Sequence, residues 1–347
     1  MLRLRRAPAC LALAALAVAI LPPARAAAPA GATKKILFFT KSSNFEHQVI
    51  KERNGHPSFA AQVLQSLGPA HGIEFVCSKD GSLFTPDYLA QFDALLFYTS
   101  GNLLERGKDG NPPMTPAGKQ ALLDAIRHGK GFIGTHAAAD TFHPGETAET
   151  NTNQARTWRY RVLGDKADPY TQMIGGELII HGCQQLATVR VVDPQFPGFA
   201  RYAPGFEAQE EWYSMTNFAP DLHVLLVLDT ATMRNPYPDE PNWPPAGWDT
   251  PYKRPPYPVA WAHRYGEGRV FFTAMGHSEE TWRNPRFQEM LLGGIDWALG
   301  RSDAAVLPNL ASVAPRAADL PPVSAPVAGL PPALKAKESQ TPGHTYP

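Results

Sequence analysis

Short apolar runs alternate with amphipathic segments along the first half of the chain. Residues 58–67 and 115–128 carry apolar side chains at the spacing of a helix face, and the second segment opens with Thr-Pro, which is typical of a capped helix start. Four apolar runs around them are predicted to be buried strands: 34–40, 73–77, 92–98 and 131–134. Strands that alternate with helices in this way favour a parallel sheet covered on both faces. The pattern therefore predicts an α/β fold with a doubly wound, mostly parallel sheet flanked by helices.

The second half of the chain adds strands, a helix and two long loops. Four segments are predicted to be strands and one to be an amphipathic helix: 187–192, 224–228, 259–263 and 269–273, and then 287–299 for the helix. Residues 143–174 show no clear period and are predicted to form a loop insertion. Residues 233–258 contain nine prolines, which predicts an extended surface loop.

Both ends of the chain have the composition of segments that lie outside a folded domain. Residues 1–26 combine early arginines, a short apolar core and an Ala-x-Ala site, which predicts a signal peptide cleaved near Ala26. The apolar core is too short to span a membrane, so we expect an exported protein, periplasmic or secreted, without a stable membrane anchor. Residues 302–347 are rich in Pro and Ala and are predicted to be a disordered tail, which leaves 34–301 as the folded domain.

Charge and cysteine content exclude two classes of protein. The chain has 32 basic and 32 acidic residues and no basic block after the predicted signal peptide, so nucleic-acid binding has no electrostatic support. Only Cys77 and Cys183 remain after the signal peptide, which excludes a disulfide-rich scaffold. The spacing of these two cysteines leaves open whether they pair.

Several histidines and carboxylates follow predicted strands or glycine-rich turns. Ligands of open α/β sheets bind beyond the carboxyl ends of the strands, and His136 and Asp140 come directly after the strand at 131–134. Histidines that converge on one cleft would support proton transfer or metal-assisted chemistry. Each of them alone could instead cap a helix, and no His-x-His or His-x-x-x-His spacing marks a metal site. The candidates are His47, His136, Asp140, His181, Glu210, Glu211, His263 and His277.

Sequence motifs for covalent and phosphate chemistry are missing. The chain contains no G-x-S-x-G elbow and no Walker loop. Thr135 and His136 stand at the turn where a serine or cysteine nucleophile would be expected. Covalent acyl transfer is therefore disfavoured.

Five stretches of the sequence resemble the ThuA-like (trehalose utilisation) family of the class I glutamine amidotransferase-like superfamily: ILFFTKSSNFEH, GKGFIGTHAAAD, GGELIIHG, EEWY and PVAWAHRYGEGRVFFTAMGHSEETW. The resemblance covers roughly residues 35–301 and implies a flavodoxin-like fold. Like the family, this chain lacks the catalytic cysteine of the amidotransferases, so glutaminase activity is not implied. Members of the family are linked to the use of disaccharides and of the 3-keto sugars made by oxidising them.

The resemblance also implies which residues line the pocket. His136, His181, Glu211 and His277 fall on the family motifs and are expected to be catalytic; they are also the candidate ligands of a divalent metal, the one cofactor under consideration. Contacts with the substrate are expected from six further residues: His47, Asp140, Trp212, Tyr213, Trp261 and His263. The loops at 143–174 and 233–258 depart from the family pattern and leave the size of the substrate open.

Three functions fit these residues. The first is an exported carbohydrate-active enzyme that cleaves or converts keto-sugar glycosides by His and Glu acid–base chemistry, with or without a metal, because a ketone at C3 acidifies the C2 proton. The second is a carbohydrate-binding protein without turnover, which would use aromatic side chains: Trp212, Tyr213, Trp243, Trp248 and Trp261. The third, a hydrolase with paired carboxylates, is disfavoured because Glu210 and Glu211 are adjacent and would point apart on a strand.

Several titratable groups at strand ends favour the enzyme over the binding protein. The expected partner is a small-molecule carbohydrate and not a nucleic acid. The sequence specifies neither the sugar and its linkage nor the oligomeric state.

Overall fold

A single sheet of nine strands dominates the computed structural model, which describes residues 32–142, 166–234 and 251–320. The strands are β1 (Lys34–Phe39), β2 (Ile73–Ser78), β3 (Ala94–Phe97), β4 (Gly131–Thr135), β5 (Glu177–His181), β6 (Gln185–Val191), β7 (Gly205–Glu210), β8 (Tyr213–Thr216), β9 (His223–Leu228), β10 (Tyr257–Tyr265) and β11 (Gly268–Thr273). The helices are α1 (Phe59–Leu67), α2 (Pro86–Ala90), α3 (Pro116–Arg127), α4 (Pro169–Ile174), α5 (Glu279–Arg283), α6 (Pro285–Ala298) and α7 (Leu310–Val313).

The sheet has a parallel core and an antiparallel extension. Its strand order is β2-β1-β3-β4-β11-β10-β9-β6-β7, and the first five of these strands run parallel to one another. The other four continue the sheet in antiparallel pairs, while β5 and β8 form a separate two-stranded ribbon. The start of this order, 2-1-3-4, is that of flavodoxin-like sheets, which bind ligands at the carboxyl ends of the strands. The predicted α/β fold is confirmed: the sheet is mixed, mostly parallel in its core and flanked by helices.

Burial and capping explain why these segments form where the sequence predicts. Residues Ile36 and Phe38 of β1 are fully buried, as expected for a parallel strand that is covered on both faces. Ser58 begins α1 by accepting a hydrogen bond from the N–H of Ala61. Thr115 does the same for α3, with Pro at the first helical position, so the predicted Thr-Pro start is confirmed.

Several segments differ from the sequence-based expectation. The predicted loop at 143–174 ends in a helix, α4, which is capped by Asp168; residues 143–165 lie outside the described part of the chain. In the predicted loop at 233–258, the last two residues already belong to β10, and 235–250 are outside the described part. Strands β7 and β8 were not predicted at all, because their sequences lack a continuous apolar run.

The segment that follows α6 packs onto the fold. Asn309 makes two hydrogen bonds to the main chain of Val224, one accepted at 2.7 Å and one donated at 3.0 Å. The buried guanidinium of Arg254 donates to the main-chain oxygen of Ala317 at 2.6 Å. The prediction of a disordered tail therefore does not hold for residues 302–320, while 321–347 lie outside the described residues.

The predicted signal peptide falls within residues 1–31, which are outside the described part of the chain, so it stays a prediction. In the residues that the structure does describe, no helix has the length and apolar character needed to cross a membrane. Within the described residues, no disulfide joins Cys77 to Cys183.

Candidate active site

Loops from three parallel strands and one antiparallel strand converge on a single point. His47 lies in the loop after β1, His136 directly follows β4, and His277 lies in the loop after β11. Glu211 arrives from the antiparallel half of the sheet, as the first residue after β7. The three histidines therefore lie at the carboxyl edge of the parallel core, where ligands of such sheets bind.

The four side chains are close enough to bind one metal ion. One potential ligand atom from each of His47, His136, Glu211 and His277 lies within 4.8 Å of all the others. Glu211 Oε2 is 3.3 Å from His277 Nδ1, 3.4 Å from His136 Nε2 and 3.8 Å from His47 Nε2. His136 Nε2 and His277 Nδ1 are 3.3 Å apart. Ligand atoms of a tetrahedral ion with bonds of about 2.0–2.1 Å are separated by about 3.3 Å, so this spacing fits a zinc-sized ion.

Outer contacts orient two of the histidine rings. His136 Nδ1 lies 2.9 Å from the main-chain oxygen of Ala274, which can only accept a proton, so Nδ1 carries a hydrogen and Nε2 faces the cluster. His277 Nε2 contacts the side-chain amide of Gln184 at 2.8 Å, which leaves His277 Nδ1 facing Glu211. Hydrogen bonds of this kind to the second ring nitrogen are typical of metal-binding histidines.

Burial and mutual charge set the ionisation of the cluster. Burial lowers the pKa of His47 to about 3, so this ring is neutral at neutral pH. Burial alone would raise the pKa of Glu211, but the charges of His181 and His277 and hydrogen bonds from His136 and His277 hold that pKa well below its usual value. For His277, burial acts to lower the pKa, and the nearby Glu211 carboxylate outweighs it and raises the pKa. Glu211 is therefore ionised at neutral pH and faces an imidazole, that of His277, whose pKa it raises.

His181 lies on the opposite side of Glu211 from the other histidines. Its Nδ1 is 3.4 Å from Glu211 Oε1 and 3.0 Å from the main-chain oxygen of Gly182. The His181 side chain is 36% exposed, whereas that of His136 is fully buried. The ring of Tyr213 contacts both, with centroids 4.3 Å from His136 and 5.6 Å from His181. His181 is thus placed outside the four clustered ligands and is open to an incoming molecule.

The structure does not bring all of the predicted residues to this point. Trp212 is fully buried and donates its indole N–H to the main-chain oxygen of Gln185. Trp261 is also fully buried, and its indole N–H donates to the oxygen of Ile174. Both are core residues whose indole N–H groups are already bonded, and neither belongs to the four clustered side chains.

Two further residues predicted to contact the substrate, His263 and Asp140, make hydrogen bonds to the main chain elsewhere in the fold. His263 is buried in β10, with Nε2 2.9 Å from the main-chain oxygen of Met173 and Nδ1 3.6 Å from Asp221. It supports the end of α4 and is not one of the four clustered side chains. Asp140 ends a short 3-10 helix, His136–Asp140, and its main-chain oxygen accepts the N–H of Gly101; it is not one of the clustered ligands. Trp243 and Trp248 lie outside the described residues.

Sequence reasoning missed several residues that the fold places here. Phe45 is 47% exposed, and its ring centroid lies 4.9 Å from that of His47. Tyr98 follows β3 and is fully buried against the rings of His47 and His136. The side-chain amide of Gln184 contacts His277 Nε2. The only available signal was proximity in sequence, because Phe45 is two residues from His47 and Gln184 is three from His181.

Comparison with known proteins relates this geometry to one family. The model of the ThuA family, described as trehalose utilisation, matches residues 35–298. Among solved structures, a ThuA-like protein from Bacteroides uniformis is similar over 83% of this chain and 99% of its own, with 19% identity and a TM-score of 0.54. A ThuA-like protein from Parabacteroides merdae is similar over 78% of this chain and 92% of its own, with 18% identity and a TM-score of 0.47. No curated protein matches this chain.

The family match spans the whole parallel core, the clustered side chains and the long helix α6. The similarity to the Bacteroides uniformis structure, at 19% identity, establishes the fold alone. On the extent of the family match, this chain belongs to the ThuA (trehalose utilisation) family.

Proposed function

We propose that this protein is a carbohydrate-converting enzyme that cleaves or converts glycosides of 3-keto sugars with the help of one divalent metal ion. Membership of the trehalose utilisation family supports a carbohydrate-related role. The observation that carries the proposal is the convergence of His47, His136, Glu211 and His277, whose ligand atoms all lie within 4.8 Å of one another. A buried set of this composition has no evident use in stabilising a fold.

The donor set indicates the kind of metal. Three imidazoles and one carboxylate suit zinc and the other transition metals, whereas magnesium and calcium prefer oxygen ligands alone. Such an ion would act as a Lewis acid that polarises a carbonyl oxygen, for example the C3 ketone of a keto sugar. His181 is not needed as a ligand, because it contacts the other oxygen of Glu211.

His181 is the residue best placed to move a proton. Two acceptors, Glu211 Oε1 and the Gly182 oxygen, hold the Nδ1 hydrogen and leave Nε2 as the basic atom. A carboxylate that orients an imidazole in this way is a recurring arrangement of general bases. Because its side chain is partly exposed, His181 can meet a substrate that the buried ligands cannot reach directly.

The proposed elimination requires no reactant other than the glycoside itself. A ketone at C3 acidifies the C2 proton, His181 removes that proton, and the C–H electrons form an enediolate. The enediolate then expels the glycosidic oxygen, so that the C1–O bond breaks and a C1–C2 double bond forms. The leaving oxygen takes up the proton held by His181, which returns the side chain to its starting state. Addition of water to the unsaturated sugar would complete a net hydrolysis.

Phe45 is an exposed aromatic side chain, whereas Trp212 and Trp261 are buried. Sugar rings stack on aromatic faces, and Phe45 is an exposed aromatic ring in contact with one of the clustered histidines. Its main-chain oxygen accepts a hydrogen bond of 2.6 Å from the hydroxyl of Ser100, which fixes the loop after β1. We assign Phe45 to the sugar-binding edge of the site.

Two other functions are less well supported. A carbohydrate-binding protein without turnover could use Phe45 and Tyr213, but it would have no need of four clustered titratable groups. A hydrolase with paired carboxylates would need Glu210, and both oxygens of that side chain are already engaged by protein donors. The N-terminal pattern supports a periplasmic or secreted location, which remains part of the proposal.

Turnover of a matched panel of 3-keto glycosides and ordinary glycosides by the purified protein tests the proposal. Cleavage should be confined to the keto compounds and should be lost in His136→Gln and His277→Gln. Unchanged cleavage in both variants would refute the assignment of the site. Tight sugar binding without any product would instead support the binding protein.

A further inference from the structure

Glu210 is buried directly behind the clustered ligands. It ends β7, precedes Glu211 and is only 2% exposed. Its carboxylate lies under the loop after β11. Oε1 accepts the main-chain N–H of Gly276 at 2.9 Å and the hydroxyl of Thr281 at 2.5 Å, and Oε2 accepts the N–H of His277 at 3.3 Å.

All three contacts direct an N–H or O–H group at the Glu210 oxygens, which suits a carboxylate. The two main-chain N–H groups can only donate, so neither could accept a proton from Glu210. The Thr281 hydroxyl lies 3.4 Å from that of Ser278, from which it can accept while it donates to Glu210. Buried charges are usually paired, yet within the described residues Glu210 has no ion pair, and Glu211 is paired with histidines alone.

The loop above Glu210 is fixed at Gly276, whose N–H and carbonyl oxygen are both hydrogen-bonded. Its N–H donates to Glu210, and its carbonyl oxygen accepts the indole N–H of Trp282 at 2.9 Å. Gly276 has φ +126°, a conformation that other residues rarely adopt. Because the next residue is His277, whose N–H Glu210 also accepts, Glu210 fixes the main chain that carries the His277 imidazole.

We infer that Glu210 is a positioning residue for the metal site, which holds His277 in place and supplies the second of two negative charges that one divalent cation neutralises. This inference rests on the proposed function, since it needs the metal. With three neutral imidazoles, Glu210 and Glu211 leave the site two negative charges in excess. A doubly charged ion removes that excess, and a singly charged ion does not.

Glu210→Gln is the direct test, because it keeps the shape of the side chain and removes its charge. One side-chain oxygen is replaced by an NH₂ group, which must then face a main-chain N–H donor. We expect the Kd for Zn²⁺, measured at constant pH by competition with a chromophoric chelator, to rise by about 10–100-fold. Thr281→Val, which removes one donor and keeps the charge, should raise it by a smaller factor. Glu289→Gln, at a surface pair with Arg201, is the matched control and should bind like the wild type.

The Co²⁺ absorption spectrum provides a second reading that a purely structural role would not change. It should shift in Glu210→Gln and stay unchanged in Glu289→Gln, because only the former moves a ligand. Wild-type Kd and spectrum in a folded Glu210→Gln protein would overturn the inference and leave the proposed function intact. If Glu210→Gln does not fold, wild-type values in Thr281→Val would overturn it. Absence of Zn²⁺ binding by the wild type would instead refute the proposed metal and this inference with it.

Discussion

The imidazole of His136 donates its Nδ1 proton to the main-chain oxygen of Ala274 across 2.9 Å. The two residues follow β4 and β11, which are neighbouring parallel strands, so the contact joins two strand ends at the carboxyl edge of the sheet. His136 has φ +45°, in the left-handed region that costs a non-glycine residue about 1–3 kcal/mol. That strain is tolerated where the surroundings determine the conformation, and here it directs Nε2 at Glu211 and His277.

Replacement of His136 should abolish tight metal binding. His136→Gln removes one of the four clustered ligands, and we expect the Zn²⁺ Kd to rise by at least about 100-fold. His223→Gln is the matched control, because His223 is also buried and places Nδ1 2.7 Å from a main-chain oxygen, that of Leu307, away from the cluster. Metal content after dialysis and a chelator competition measure the effect. Equal loss of binding in both variants would mean that a general loss of packing, and not a ligand, is responsible.

Replacement of His181 should separate proton transfer from metal binding. In His181→Gln we expect kcat on a 3-keto glycoside to fall by about 10²–10⁴-fold, because general base catalysis is lost, while metal content stays at the wild-type level. The reason is that His181 contacts Glu211 Oε1, whereas the clustered ligands face Oε2. Loss of metal from His181→Gln would show that this residue is a ligand and that the division of roles is wrong.

Phe45 should affect substrate binding more than catalysis. Phe45→Ala removes an exposed ring beside His47, and stacking of this kind is worth about 1 kcal/mol, so KM should rise by roughly fivefold with little change in kcat. Phe45→Trp should restore the wild-type KM. Leu307→Ala, at a side chain that is 70% exposed in the C-terminal segment, serves as the control for loss of an exposed apolar group. A proportional fall of kcat in Phe45→Ala, with KM unchanged, would contradict the assignment.

Acid should destabilise the metal-free protein through His47. Its pKa is about 3 in the folded state and 6.5 when exposed, so below pH 6.5 only the unfolded state takes up the proton. The free energy of unfolding should therefore fall with decreasing pH through this window, by about 1.4 kcal/mol per pH unit for this one group. Denaturant unfolding in the presence of a chelator, between about pH 6 and pH 5, should show this slope in the wild type and a smaller one in His47→Gln. If the free energy of unfolding depended on pH in the same way in both proteins, His47 would not be neutral and buried.

The parallel core could be predicted from sequence because its strands are buried on both faces. Phe38 and its neighbours form a continuous apolar run that stands out from the polar turns around it. β7, with the sequence GFEAQE, has no such run and is partly exposed, so it was missed, although it delivers Glu210 and Glu211 to the site. Residues 302–320 were missed for a related reason: a few specific contacts, such as those of Asn309, hold a segment whose composition is that of a linker.

The site could be predicted only in part. The histidines at strand ends were identified because topology places such positions at one edge. The sequence could not show that Trp261 lies in the core, because a tryptophan whose N–H bonds to a main-chain oxygen there has the same sequence signature as one that lines a cleft. The four clustered side chains show no characteristic spacing in the sequence, because His47 and His277 are brought together only by the pairing of β1, β3, β4 and β11.

The most direct test compares one 3-keto glycoside with its unoxidised parent, each offered to metal-stripped protein and to the same protein reloaded with Zn²⁺. We expect that only the reloaded protein acts, that it acts only on the keto compound, and that one bound ion per chain suffices. Equal turnover by the stripped protein, or cleavage of the unoxidised parent at a similar rate, would contradict it.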